Sequence, residues 1–170
     1  VTFISVFGSM IGLICGWFEN TIDVILMRIA DMFLAFPGLV FALAVAAVLG
    51  GGLQNAIIAL AAISWPKYAR LARSQTLTQK KATYIKAARL AGDSDWKLIV
   101  RHILPNIMGP ILVTAVLDIG TMMMELAGLS FLGLGAKPPI AEWGSMMSIG
   151  RSMLQTYPWA VLSPGIAIFL

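Results

Sequence analysis

The sequence predicts an all-α fold, a polytopic membrane helical bundle with about five spans, on three observations. Of the 170 residues 59% are hydrophobic and 12% charged, against roughly a quarter charged in an ordinary soluble domain, and the mean hydropathy is +0.87. Val1 to Phe18 carries no charge, and Met32 to Pro66 carries none over 35 residues, more than the roughly 20 needed for one span. Nine of the twelve Lys and Arg residues fall between positions 67 and 101, so the charge is gathered into one segment. A buried helix pair in a large soluble protein is the competing reading, but buried helices rarely run so long uncharged.

The first span is Val1 to Phe18. Cys15, the only cysteine, lies within it, so no intrachain disulfide or thiolate cluster can form, and its thiol faces lipid or fills packing space. Glu19 to Asp31 holds three acids around Arg28 and reads as a short inner loop. The long uncharged run must fold back on itself, and Gly50-Gly51-Gly52 is the place, because glycine turns tightly without steric penalty. That divides it into spans at Met32 to Leu49 and Leu53 to about Ala72. A fourth span covers Ile103 to about Leu129, and a fifth begins at Trp159. All are expected to be helices, because in lipid each backbone polar group must be satisfied within its own segment. Prolines 37, 66, 105 and 110 punctuate them, each removing one backbone hydrogen bond and favouring a kink.

Both ends read as cut. Val1 follows neither an initiator methionine nor a charged leader region, and Trp159 to Leu170 is twelve apolar residues, too short to cross about 30 Å at 1.5 Å per residue.

The basic segment sets the orientation. Lys67, Arg70, Arg73, Lys80, Lys81, Lys86, Arg89, Lys97 and Arg101 stand beside only Asp93 and Asp95, which makes this segment cytoplasmic by the positive-inside rule. The Gly50 turn and the segment from about Ser130 to Pro158 then lie outside, where only Lys137 and Arg151 are basic.

The large inner loop, 78–102, reads as two short helices. Thr83, Ala87, Ala88 and Ala91 beside Lys86 and Arg89 suit the first, and Gly92 interrupts it. Asp93 or Ser94 can cap the second, and the acidic pair Asp93 and Asp95 suits a helix N-terminus. Trp96, Ile99, Val100 and Ile103 fall at helical spacing, an apolar face for the membrane helices or a partner. Pro105 ends or kinks this helix. From charge alone the loop could equally set topology and touch anionic lipid.

With Ala87, Ala88, Gly92, Ile103, Leu104 and Pro105 in this order, the loop resembles the cytoplasmic coupling loop of ABC importer permeases: Glu-Ala-Ala, three residues, Gly, then a hydrophobic-x-Leu-Pro ending. Lys86 stands where that pattern has Glu, which removes any salt bridge of the Glu and leaves the helix and its apolar contacts. The runs RIADMFLAFPGL, WPKYARLARSQ, GLSFLGLGAKPPIAEWGSMM and YPWAVLSPGIAIF are similar to the second permease subunit of dipeptide, oligopeptide and nickel importers, and with the coupling loop they cover almost the whole chain. The resemblance implies a type I ABC importer permease with five of an expected six spans present, in a bacterial inner membrane. It implies a coupling set of Lys86, Ala87, Ala88, Arg89, Gly92, Asp93, Leu104 and Pro105. It also implies a paired permease subunit, two cytoplasmic ATPase subunits that hydrolyse the ATP, and an extracytoplasmic substrate-binding protein. Gly92 supplies a mechanical reason for such a loop, since it lets two short helices meet at an angle and form a compact knob.

On the outer side, within 130–158, Trp143, Met146, Met147, Gly150, Met153 and Leu154 fall at helical offsets with Glu142, Ser145, Ser148 and Arg151 elsewhere, the pattern of an amphipathic interfacial helix. Such a helix either receives the binding protein or packs on the bundle, and its Met residues suit adaptable packing. Asp118 and Glu125 are the only charges between Arg101 and Lys137, and with Met122 they share one face of the fourth span. Intramembrane acids are costly to desolvate and mark candidate pathways. Asp118 could instead pair with the partner permease, and Glu125 could meet water at the outer end. The run LDIGTMMMELAGLSFLGLG leans toward the nickel or metallophore branch, because carboxylates suit divalent cations, although a peptide ammonium would be met by the same acids.

Several chemistries are excluded. His102 is the only histidine, so no histidine pair exists for a metal or relay, and it reads as a helix-end residue. No phosphate-loop or nucleophile motif occurs, so the chain should bind no ATP or other cofactor and catalyse no reaction itself. Nucleic-acid motifs are missing from the basic loop. A channel or secondary transporter without an ATPase is the contrasting class; paired repeats with broken midplane helices would mark it, and no repeat is evident.

Overall fold

A computed structural model describes residues 1–137 and 139–169, and every regular element among them is helical. In order these are α1 (Thr2–Phe18), α2 (Thr21–Leu34), α3 (Gly38–Val48), α4 (Leu53–Lys80), α5 (Thr83–Leu90) and α6 (Asp95–Lys97). A π-helical turn (Leu98–Ile103) leads into α7 (Leu104–Phe131), followed by α8 (Trp143–Gly150), a 3₁₀ turn (Arg151–Met153) and α9 (Trp159–Phe169). The all-α expectation holds.

By length and composition, the continuous stretch Asp95–Phe131 can cross a membrane, and α2 with α3 passes the same test as a bent pair; α1 and α9 are apolar but shorter. The segment expected as an inner loop is instead helix α2. Asn20 caps it by accepting the Asp23 amide at 3.4 Å, and two of the acids that suggest a loop are neutralised by side chains of α4 rather than by water. Pro37 then breaks the expected second span between Leu34 and Gly38, since proline disfavours helix in the residue before it. Pro66 and Pro110 interrupt nothing and lie inside α4 and α7.

Two compact units form, residues 1–35 with 64–117, and residues 36–63 with 118–170. In the first unit α1 lies against α4 along Gly8, Gly12 and Gly16. A Cβ added at Gly12 would stand 2.1 Å from the Ala69 carbonyl oxygen, and one at Gly16 would stand 2.8 Å from Thr76 Cβ. Glycine weakens an isolated helix by roughly 0.5–1 kcal/mol relative to alanine, and here close backbone approach offsets that. Tyr68, Ala69, Ala72 and Thr76 are buried on the facing side, and Cys15 is buried as packing rather than exposed. An ion pair closes the unit: Arg73 grips Asp23 with both guanidinium nitrogens, at 2.6 and 2.7 Å, and Asp23 is buried.

In the second unit the Gly50–Gly52 turn forms as expected, with φ of 85, 69 and 95° at the three glycines. Asn55 secures it by donating to the carbonyls of Leu49 (2.7 Å) and Gly51 (2.8 Å), and the Gly52 amide donates to Leu134. Ala42 and Ala46 of α3, Ala56, Ala59 and Leu60 of α4 and Leu129 of α7 make its core.

Helix α8 buries its small residues. Gly144, Ser145 and Gly150 form the buried face of α8, while Trp143, Met146, Met153 and Leu154 of the apolar stripe are exposed. Small residues win because they allow contact with backbone: a Cβ on Gly144 would stand 2.1 Å from the Ala127 carbonyl oxygen. Glu142 caps α8, its carboxylate accepting the Gly144 and Ser145 amides at 2.9 Å each.

Candidate functional site

The 78–102 segment folds into a braced knob. Helix α5 ends in a closed turn, with Gly92 at φ 92°, its amide donating to the Arg89 carbonyl and the Asp93 amide donating to Ala88, each at 3.1 Å. This pair of bonds satisfies the last carbonyls of α5 and needs a left-handed residue where Gly92 stands. Ser94 caps α6 by accepting the Lys97 amide at 3.4 Å. Asp93 has another partnership: its carboxylate accepts from the Lys97 ammonium and lies 3.2 Å from His102 Nε2. The Lys97 hydrogen bond, assisted by His102, holds the Asp93 carboxyl below the usual carboxylate range against the opposing effect of desolvation. His102 is thereby a brace of the turn, not a lone helix-end residue. Asn106 continues the brace, donating to the His102 carbonyl at 2.6 Å and to the Tyr84 hydroxyl at 3.3 Å.

Pro105 does not end the second helix of the loop. It is the second residue of α7, directly after the π turn, and the chain stays helical from Asp95 to Phe131. A proline ring clashes with the carbonyl four residues earlier, and a wider turn moves that carbonyl aside. The wider turn also re-phases the helix, so the expected apolar face divides. Ile99 and Ile103 are buried with Leu98, whereas Trp96 is 73% exposed and Val100 is exposed.

Of the eight residues expected to form the coupling set, Lys86, Ala87, Arg89, Gly92 and Pro105 are exposed, and Ala88, Asp93 and Leu104 are half-buried. Leu90, before the turn, is 90% exposed. The knob therefore displays Leu90 and Trp96 most openly of its large apolar side chains, among charged ones, while Ile85, Leu98, Ile99 and Ile103 are buried.

Motif reading missed Trp17. Its indole is 3% exposed, Lys80 Nζ lies 5.5 Å and the Arg89 guanidinium 5.3 Å from its ring centre, and Lys80 also donates to the Trp17 carbonyl at 2.5 Å. No pattern in the linear sequence joins positions 17, 80 and 89. The Gly8, Gly12, Gly16 repeat, by contrast, is a spacing that could have been found.

In the second unit Asp118 is buried, at 4% exposed, and Met122 and Glu125 are half-buried on the same helix. A Cβ on Gly38 would stand 3.9 Å from Glu125 Oε1, so this carboxylate lies beside the first turn of α3, where the helix dipole favours negative charge. A pocket of about 410 Å³ opens nearby, with Met123, Leu126, Ala127, Trp143, Met146 and Ile168 in its wall. The first unit has a groove of about 650 Å³ along α2 and α4, where Asp31 and Arg70 form a loose pair at 3.5 Å.

Residues 8–170 match the family described as the binding-protein-dependent transport system inner membrane component. The chain belongs to that family. Among curated proteins it is 45% identical over 170 residues to the dipeptide transport system permease protein DppC of Alkalihalophilus pseudofirmus, covering 100% of this chain and 56% of that protein. It is 45% identical over 163 residues to the glutathione transport system permease protein GsiD of Pectobacterium atrosepticum, covering 96% and 54%. For GsiD of Escherichia coli O157:H7 the identity is 46% over 154 residues, covering 91% and 51%. The chain thus spans about half the length of the curated relatives it matches.

Proposed function

We propose that the chain is permease sequence of a binding-protein-dependent ABC importer for peptides, a multi-pass component of the bacterial cytoplasmic membrane that forms part of one half of a translocation path. The observation that carries this reading is the knob. It is a preformed, internally hydrogen-bonded turn with exposed Leu90 and Trp96, and large apolar side chains held out on a rigid support suit a protein partner. The partner is a cytoplasmic ATPase subunit. Two such subunits hydrolyse ATP, a paired permease completes the path, and a binding protein delivers substrate from outside, where 130–158 lies. The chain itself is not an enzyme and binds no ATP. Peptide is the favoured substrate class, above nickel, because the relatives' names are dipeptide and glutathione permeases. Membership in a binding-protein-dependent family speaks against a channel or secondary transporter.

Motion of the ATPase pair would be delivered to the chain through Lys86 to Asp93 and carried into α7 past Leu104 and Pro105. Asp118, Met122 and Glu125 line the path, where the acids meet a peptide's ammonium group. Photo-crosslinkers at positions 90 and 96 of the complete transporter test the docking. Adducts with the ATPase subunit are expected at both, and adducts with lipid alone would return the loop to a topology-setting role.

A further inference from the structure

We infer that Trp17 is a positioning residue for the coupling knob, a π-face clamp that fastens α5 to the ends of α1 and α4. This inference rests on the reading of residues 78–102 as the ATPase-coupling loop. Three observations support it. The Trp17 ring has two cations from different elements over it, Lys80 at the end of α4 and Arg89 in the last turn of α5. The indole is buried, so its π-face is turned to protein, while the two cations keep part of their surface in water. Lys80 also holds the exposed end of α1, donating to the Trp17 carbonyl at 2.5 Å and to Glu19 Oε1 at 2.6 Å, so the site of the clamp is itself fixed.

Arg89 thereby has two duties. Its guanidinium covers the indole and donates to Asp95 Oδ1 at 3.1 Å, across the Gly92 turn. The Asp95 pair is exposed on both sides and therefore weak. The face on Trp17 ties the knob to α1, beside the Tyr84 hydroxyl's 2.7 Å bond to Gln79 of α4, and α1 is in turn seated on α4 by its glycines. A displacement of α5 is passed to α1 and α4 together, instead of being lost in a hinge at Lys81 and Ala82.

The test uses the complete transporter in vesicles and reads ATP hydrolysed per peptide imported, beside the amount of assembled complex. Trp17→Leu keeps apolar bulk without a π-face, and Arg89→Gln keeps length without charge. Each is expected to raise the ratio about two- to fivefold, the scale of one cation–π contact. Trp17→Phe and Arg89→Lys are expected to restore most of the coupling. The double variant Trp17→Leu/Arg89→Gln should be no worse than Trp17→Leu alone, because Trp17→Leu already removes the contact with Arg89. Asp95→Asn should leave the ratio at the wild-type value, and if it reproduces the Arg89→Gln defect, Asp95 carries the role and the clamp is wrong. Gly92→Trp separates the two levels. A raised ratio there with a normal one in Trp17→Leu overturns the clamp alone, and a normal ratio in Gly92→Trp removes the coupling loop and the clamp with it. If Trp17→Leu fails to assemble, the Arg89→Gln and Arg89→Lys comparison decides, and a normal ratio in Arg89→Gln overturns the inference.

Discussion

Asp23 is the residue at which charge is most tightly committed. Its carboxylate is buried and held by two nitrogens of Arg73, so removal of the cation leaves an uncompensated charge in the interior. Arg73→Met is expected to destabilise by about 3 kcal/mol, the lower end for a broken buried pair because Arg73 itself is partly exposed. Asp23→Asn/Arg73→Met together should lose less than Arg73→Met alone. Thermal unfolding in detergent measures both, and equal losses would mean that the pair is not buried as described. Glu19 gives a pH-dependent counterpart. The Lys80 hydrogen bond holds its carboxyl below the usual range, so its contribution is fully present above the unfolded value of about 4.3 and is lost as pH falls through the lower folded value. The stability gap between wild type and Glu19→Gln should therefore stay level from neutral pH down to about 5 and close only below about 4. A gap that closes near neutrality would contradict the Lys80 pairing. Neither ion pair was legible from the sequence, because their partners lie 50 and 61 positions apart and nothing local announces them. The same acids suggested a loop, since a charge in sequence looks like an appeal to water until its partner is seen.

Among the elements, α1 and α4 show how glycine spacing sets packing. Gly12→Val is expected to part the two helices, because even a Cβ would lie 2.1 Å from the Ala69 carbonyl oxygen. Gly109→Ala in α7 meets nothing within 4 Å and should stabilise that helix by up to about 1 kcal/mol. Thermal unfolding in detergent measures both variants, and a Gly12→Val protein as stable as wild type would contradict close approach. Element type was readable from apolar run length and from Gly50–Gly52 and Gly92, whose left-handed φ values only glycine takes readily. Phase was not. The π turn before Pro105 shifts the register of the knob's second helix, and the small residues of α8 displace its apolar stripe from the buried face. Both outcomes depend on backbone geometry that a count of apolar offsets does not contain.

At the scale of the whole molecule, the chain belongs to the family of binding-protein-dependent transport system inner membrane components, and the proposed function gives roles to the knob and the α7 acids. Gly92 is the position where the account concentrates. Nothing lies within 4 Å of a Cβ there, so a substitution acts through the left-handed φ and through whatever docks on the surface, not through a clash inside the chain. The α7 acids give a second test at this scale. Asp118→Asn should alter peptide transport kinetics while the amount of assembled complex stays unchanged, and unaltered kinetics would remove Asp118 from the path. The most direct measurement of the central claim is peptide import against ATP hydrolysis for Gly92→Trp in the reconstituted transporter. The account predicts normal membrane insertion with retained hydrolysis and lost import. Import that continues at the wild-type rate per ATP would contradict it.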